Sequence, residues 1–200
     1  AIFHAGMTMK DALYDYDGVV KAVTSYYHEF EPDSWLGPLV YVPGPAFDIL
    51  DYKLYDWPGQ KIEDNYCYQM NEGEYLYPDE YKDLSNDPSG FFLRKYMPRI
   101  FSTMKPLQLF PLLQYTQELP FTAPFLIPFG IPEVQQALHK LMAAGTEAMR
   151  WIQKMGELGM KMRSAGCVDF AGGASKAPYD VIGDTLRGTR GLLTDLYRRP

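Results

Sequence analysis

Cysteine and histidine are scarce in this sequence. Its 200 residues include two cysteines, Cys67 and Cys167, and three histidines. The cysteines stand far apart, and neither belongs to a Cys-x-x-Cys or Cys-x-His motif, so their spacing favours neither a disulfide framework nor a zinc ribbon. No histidine belongs to a His-Glu-x-x-His pattern. We therefore expect no metal site in this chain and, because unpaired thiols suit a reducing compartment, a cytoplasmic protein.

The sequence also lacks clustered positive charge and a long uninterrupted apolar run. Its formal net charge is −6, and its basic residues are scattered until the last three positions, which excludes a typical nucleic-acid-binding surface. The most apolar region, residues 107–131, is interrupted by four prolines, whereas a membrane-spanning helix needs about 20 apolar residues in a row. We expect no nucleic acid partner and no membrane span.

Both ends of the chain are abrupt. Ala1 opens a strand-like run with no basic leader before it, which argues against a signal peptide, and Pro200 follows directly on a helical pattern. We therefore expect this chain to be cut from a longer protein.

What is present is an alternation of strand-like and helix-like segments. Residues 1–6, 34–44, 53–59 and 167–170 are predicted strands, because apolar and β-branched or aromatic residues there are bounded by glycine or proline. A helix is predicted over residues 9–30, with Thr8 and Asp11 as its capping box, and a short one between the second and third strands. Residues 61–130 are predicted to form a helical insertion, broken at Asp87 and Pro88.

A long amphipathic helix is predicted from Pro132 to Gly166, with a break near Gly156 and Gly159. Its predicted inward residues recur at helical spacing: Val134, Leu138, Leu141, Met142, Met149, Ile152, Met155 and Met162.

Strands that alternate with helices predict an α/β protein with a parallel sheet or barrel. A closed (β/α)₈ barrel needs about 250 residues, so this chain could supply about half of one. We predict that residues 1–200 form a single incomplete barrel domain, the first half of a TIM-type barrel with a helical insertion.

The loops that follow parallel strands form the working face of such a fold. They place His4, the 37–43 loop and the glycine-rich stretch 170–184 there. His4 could act as an acid, a base or a ligand, or could be an ordinary histidine satisfied by its neighbours. Asp169 and Asp184 could take part in chemistry or simply favour a helix N-terminus. Lys176 could hold an acidic substrate group or be solvated; its surroundings match neither a P-loop nor a dinucleotide fingerprint.

Several short motifs together resemble those of uroporphyrinogen decarboxylase and its relatives, the corrinoid and coenzyme M methyltransferases. They are His-Ala-Gly at 4–6, Tyr-Lys-Leu-Tyr-Asp-Trp-Pro-Gly-Gln at 52–60, Phe-Ala-Gly-Gly at 170–173 with Ala-Pro at 177–178, and Leu-Tyr-Arg-Arg-Pro at 196–200. The resemblance implies the N-terminal half of the family's barrel, with the stretch at 170–184 at the barrel mouth.

The resemblance also separates two activities. In the decarboxylases, two arginines beside the first motif grip the substrate carboxylates, and here those positions hold Phe3 and Met7, with Lys10 one helical turn further on. Asp184 stands where the decarboxylases have a tyrosine, and a carboxylate there would repel a polyanionic substrate. The methyltransferase branch does not require those arginines. It uses a zinc held by a histidine and cysteines of later strands, so zinc or a corrinoid would come through the missing half.

The first functional hypothesis is therefore a methyltransferase-type enzyme acting with a corrinoid or thiol. The second is uroporphyrinogen III decarboxylase itself, with Lys10 and Lys176 replacing the arginines. The third is a non-catalytic half-barrel that associates with a second chain, with the C-terminal half, or with a copy of itself as an oligomer. The predicted catalytic residues are His4, Asp169 and Asp184, and the predicted residues for binding a small-molecule or tetrapyrrole-like substrate are Lys10, Lys176 and Tyr179.

Overall fold

The computed structural model describes residues 1–37, 41–59, 61–111, 118–169 and 175–198. Helices dominate this part of the chain. The α-helices are α1 (Met9–Tyr14), α2 (Tyr16–Phe30), α3 (Gly44–Leu50), α4 (Tyr81–Asn86), α5 (Pro88–Phe91), α6 (Met97–Ile100), α7 (Leu119–Leu126), α8 (Pro132–Ser164), α9 (Pro178–Val181) and α10 (Thr189–Arg198). The 3-10 helices are Ser102–Leu109 and Ile127–Gly130, and the π-helical segments are Phe92–Tyr96 and Ile182–Arg187.

The half-barrel prediction is wrong. The strands among the described residues are two residues long each: β1 (Ser34–Trp35), β2 (Tyr55–Asp56), β3 (Gln69–Met70) and β4 (Val168–Asp169). They form two separate two-stranded sheets, β1 with β4 and β2 with β3. A barrel needs long neighbouring parallel strands that share one continuous ladder, and the described residues show no sign of one.

The first predicted strand shows why a short apolar run misleads. Residues 1–6 form turns instead, in which the Ala5 N–H donates to the Ala1 carbonyl (3.0 Å) and the Met7 N–H donates to the Ile2 carbonyl (3.0 Å). These local bonds satisfy backbone groups that a strand would have to pair with a neighbour. Gly6 lies in the left-handed region at φ 74°, where glycine is favoured.

Within the other three predicted strands, the structure has the two-residue strands β1, β2 and β4. Parts of two of these predicted strands, residues 38–40 and Phe170, lie outside the described residues. One parallel pair remains: Ser34 pairs with Val168, and Trp35 pairs with Asp169.

The chain folds into two compact units. The first unit comprises Ala1–Asp48, Asp56–Gln69 and Ala144–Ser175, and the second comprises Ile49–Tyr55, Met70–Ala143 and Lys176–Pro200. The core of the first unit is built from α1, α2 and the C-terminal part of α8: Ile2, Ala12, Tyr16, Val19, Val20, Ala22, Met155, Leu158, Met162 and Cys167.

The helix starts of the first unit follow from its sequence. The Thr8 side chain accepts a hydrogen bond from the Asp11 backbone, and the Asp11 side chain accepts one from the Thr8 backbone, so the predicted capping box is confirmed. Asp15 ends α1 and also caps α2 through the Gly18 N–H, so the single predicted helix is two helices.

Helix α8 runs without a break at Gly156 or Gly159, and it buries only part of the predicted inward set. Val134, Met155 and Met162 are buried, whereas Met142, Met149 and Ile152 are exposed. Apolar residues lie on two sides of this helix, and periodicity alone could not tell which side packs inward.

In the second unit, α5, the π-helical turn and α6 run on from one another from Pro88 to Ile100. The predicted break at Asp87 and Pro88 is confirmed: Asp87 ends α4 and caps α5 through the Gly90 N–H. Large side chains of this unit are fully or almost fully buried, among them Leu76, Phe91, Met104, Leu107 and Leu192. In the described part of the chain, no helix is long and apolar enough to span a membrane.

Candidate functional site

His4 lies in the first unit on the N-terminal turn and contacts helix α2. Its Nε2 is 2.8 Å from the Glu29 Oε2, and its ring meets the rings of Tyr26 and Phe30 edge-on, with centroids 5.6 and 5.2 Å apart. About half of each side chain of the ion pair is exposed. The carboxylate and the two aromatic rings hold the imidazole in one orientation at the surface, where it could exchange a proton with a bound ligand.

Asp169 lies at the end of β4, and its side chain lies outside what the structure describes. Its backbone pairs with Trp35 in the parallel β1–β4 ladder. Because parallel strands point the same way, this pairing places the carboxyl ends of β1 and β4 at one edge of the first unit. Residues 170–174, which carry the Phe-Ala-Gly-Gly motif, lie outside the described residues.

Lys10 is held against the turn that contains Gly59. Its backbone N–H donates to the Asp64 carbonyl (2.9 Å), and its Nζ is 3.7 Å from the Asp64 Oδ1. Gly59 has φ 90°, and a Cβ there would come within 2.7 Å of the Lys10 Cε. Lys10 therefore packs along its own unit and already has a carboxylate beside its charge.

Lys176 and Asp184 lie in the second unit and form an ion pair. The hydrogen bond to the Asp184 carboxylate raises the pKa of Lys176. Lys176 stands just before α9, which starts with Pro178, and Asp184 lies in the π-helical segment that follows α9. Tyr179, in the first turn of α9, is about half exposed.

The six predicted site residues thus fall into separate groups. Lys176 and Asp184 come together, and Tyr179 lies between them in sequence on the same unit. His4, Lys10 and the backbone of Asp169 belong to the first unit, where His4 and Lys10 each contact a different carboxylate.

Sequence reasoning missed a buried charged cluster in the second unit. Arg187 is 2% exposed; its Nε donates to the Asp195 Oδ2 at 2.6 Å, and its Nη1 donates to the Glu74 Oε1 and the Leu76 carbonyl at 3.0 Å each. The Tyr81 hydroxyl donates to the same Asp195 carboxylate. Burial lowers the pKa of Arg187, but the hydrogen bond and charge of Asp195, with the charge of Glu74, outweigh it and raise the pKa above its usual value.

This cluster leaves a signal in the sequence. Asp195 lies between Leu192 and Leu196 within an apolar helical pattern, and a charge at such a position needs a partner. Its charge partner Arg187 is only eight residues away, but Tyr81, which donates to Asp195, and Glu74, which accepts from Arg187, are more than one hundred residues away and could not be read from spacing.

A second charged cluster surrounds Glu80. Arg99 donates to both Glu80 oxygens, at 2.6 and 2.8 Å, and Lys95 donates to Glu80 and Asp83 at 3.1 and 2.7 Å. The Arg99 guanidinium also lies 4.2 Å from the Tyr77 ring centroid. The hydrogen bonds from Arg99 are the main reason that the pKa of Glu80 falls to about 2.

Lys95 and Arg99 line a cleft of about 730 Å³ in the second unit. Arg94, which pairs with Asp87, lines it too, so all three cations are engaged by carboxylates of the chain and the cleft has no strong preference for an anion.

The thiols and histidines do not assemble a metal site in the described part of the chain. Nowhere among those residues do three His, Cys, Asp or Glu side chains lie close enough to hold a metal ion. Cys67 is exposed, whereas Cys167 is buried with its Sγ 3.6 Å from the Pro32 carbonyl.

Compared with known proteins, this chain matches no family model, no curated protein and no solved structure.

Proposed function

We propose that this chain is part of an enzyme related to the uroporphyrinogen decarboxylases that works as a methyltransferase, moving a methyl group to or from a corrinoid or a thiol. The proposal rests on the short motifs at 4–6, 52–60, 170–178 and 196–200 alone, because the described residues show no sign of that family's barrel. The choice between the two activities rests on the charges around the predicted binding residues.

One observation carries that choice: both lysines that could replace the missing arginines already face carboxylates of their own unit. Lys10 pairs with Asp64, and Lys176 pairs with Asp184. A carboxylate beside each ammonium cancels most of its attraction for a substrate carboxylate. Phe3 is exposed, and Met7 packs against the core of the first unit, so neither supplies a positive charge.

A decarboxylase that grips acetate and propionate groups needs several uncompensated cations in one place. A small methylated substrate makes no such demand. We therefore assign methyl transfer to the protein, with porphyrinogen decarboxylation as the alternative to be tested.

The zinc of the related methyltransferases does not fit the described residues, since no set of ligands comes together among them. In the proposal, His4 is a proton-exchanging group at the surface of the first unit, and the pair of Lys176 and Asp184 orients a polar substrate on the second.

The test is a pair of assays on the intact protein. One incubates it with methylcobalamin and a small thiol and follows loss of the methylcobalamin spectrum and formation of the thioether by mass spectrometry. The other supplies uroporphyrinogen III and measures products with fewer carboxyl groups. Thioether formation without decarboxylation is the expected result, and the reverse would overturn the proposal.

Variants separate the site assignment from the activity. We expect His4→Ala, Asp169→Ala and Asp184→Ala each to lower turnover at least about tenfold if these residues contact substrate. Glu29→Gln, which keeps the size of the His4 partner, serves as the matched control for a merely positional effect. Unchanged turnover in all three alanine variants would show that these residues are not the site, but it would not contradict the proposed type of reaction.

A further inference from the structure

Helix α8 carries a second apolar stripe on the side away from its buried face. Within the first unit this stripe consists of Gly145, Met149, Ile152, Gly156 and Met160, at spacings of three and four residues. Met149, Ile152 and Met160 are 59%, 47% and 60% exposed. A Cβ added at Gly145 or Gly156 would meet nothing within 4 Å. Bulky apolar side chains therefore alternate with gaps along an uncovered helix face.

We propose that this stripe is the interface between two copies of the chain, whose α8 helices pack antiparallel about a two-fold axis next to Ile152. A two-fold interface must be complementary to itself. In this register Met149 of one copy lies opposite Gly156 of the second copy, and Met160 lies opposite Gly145. Each methionine thus enters a gap that a glycine leaves, which is the geometry in which helices pack closely.

The charges beside the stripe fit the same arrangement. Arg150 and Glu157 lie on one flank of it, and reversal of the second helix brings Arg150 of each copy towards Glu157 of the other, twice per dimer. Both side chains are half exposed or more: the Arg150 guanidinium lies 3.9 Å from Glu147 and 5.7 Å from the Tyr16 ring centroid, and Glu157 lies 3.5 Å from Lys154. They remain able to reach across a close helix pair.

A parallel pair would lose both features. Met149 would face Met149, Gly156 would face Gly156, and Arg150 would lie beside Arg150. Like charges at that position and unfilled gaps at the glycines oppose it. Complementary charges and complementary shapes on one sequence are what an interface between identical copies requires, whereas an unrelated partner needs neither.

The first experiment measures the oligomeric state of the intact protein over a dilution series by sedimentation equilibrium. We expect a reversible dimer. Ile152→Glu places a charge at the axis and should raise the dimer dissociation constant about tenfold or more. The matched control is Leu193→Glu, which puts the same charge on an exposed leucine of α10 and should leave the dimer unchanged.

Charge reversal tests the register. Arg150→Glu alone and Glu157→Arg alone should each weaken the dimer, because each places like charges together across the axis. The double variant restores opposite charges and should recover most of the affinity. Recovery of this kind would not follow from damage to the monomer.

Cross-linking tests the orientation. In a Cys67→Ser background, Ile152→Cys should give a covalent dimer with a short bis-maleimide, since the two copies of this residue lie beside the axis. Met160→Cys should not, because the two copies of that residue would be about 22 Å apart along the helices. A monomer at every concentration, a dimer indifferent to Ile152→Glu, or cross-linking at residue 160 but not at 152 would each overturn the proposal.

Discussion

Among single residues, Arg187 and Asp195 form an ion pair that is buried in the second unit. Removing one partner of a buried ion pair leaves the other charge without compensation, which typically costs about 3 kcal/mol or more. We expect Asp195→Ala to lower the free energy of unfolding of the second unit by about that amount. Urea denaturation, followed by a spectroscopic signal from that unit, measures it. Arg190→Ala, at an exposed position beside the cluster, should change it by less than about 0.5 kcal/mol.

A variant that removes both charges checks this reasoning. Arg187→Met combined with Asp195→Leu should be more stable than Asp195→Ala alone, because no unpaired charge remains. Equal losses for the single and double variants would show that packing, rather than the charge pair, sets the cost.

Glu80 makes stability depend on pH. Its pKa falls from a usual 4.5 to about 2 in the folded protein, first because of the hydrogen bonds from Arg99. A carboxylate with a depressed pKa contributes stability above its unfolded value and loses it as the pH falls towards its folded value. We expect the free energy of unfolding of the wild-type protein to exceed that of Glu80→Gln by about 3 kcal/mol at neutral pH. This difference should shrink as the pH falls from about 4.5 to 2. Urea denaturation across that range measures it, and a difference independent of pH would contradict the assignment.

Among the helices and strands, local signals in the sequence predicted several helix starts, whereas they missed the division at Asp15 and predicted the strands poorly. The capping box of Thr8 and Asp11, the break at Asp87 and the start of α8 at Pro132 each depend on a few adjacent residues. A strand, by contrast, exists only if another segment pairs with it, and that depends on distant residues. The same limit applies to the candidate site: the partners of His4 and Lys10, and the contact of Arg187 with Glu74, could not be read from spacing.

The interior glycines of α8 offer a test at this scale. Glycine in the middle of a helix costs about 1 kcal/mol relative to alanine, and the space beside Gly156 is open. We expect Gly156→Ala to raise the free energy of unfolding of dilute protein by up to that amount. Gly18→Ala, in α2, is the contrasting variant, because a Cβ there would lie 2.8 Å from the Cγ of Asp15, the residue that caps this helix; a gain at Gly18 as large as that at Gly156 would contradict this account.

At the scale of the whole molecule, the sequence alternation suggested one α/β domain, and the structure has mostly helical units with short strand pairs. The error has a physical source. Apolar runs of three to five residues satisfy either a strand or a helical turn, and the prolines and glycines around them mark ends without specifying which element they end. The half-barrel was predicted from the number of these strands, so an error in the strands became an error in the architecture.

Both cysteines of the chain belong to the first unit, so thiol labelling reports on the opening of that unit. We expect a thiol reagent to modify the exposed Cys67 at once and Cys167 only after the first unit opens, because Cys167 is 2% exposed. Timed labelling and peptide mass spectrometry distinguish the two. Immediate modification of both thiols in native buffer would mean that the core around Cys167 is not closed.

The two π-helical segments bear on how related chains should be compared. They lie in the same unit and are joined by the Tyr96 hydroxyl, which donates to the Thr185 carbonyl at 3.0 Å. A π-turn accommodates one residue more than an α-turn. Deleting one residue between Ile182 and Gly188 should therefore restore an ordinary α-helical turn and leave the downstream residues facing much as they do now. A related chain without the extra residue would then show a one-residue gap at this point in an alignment.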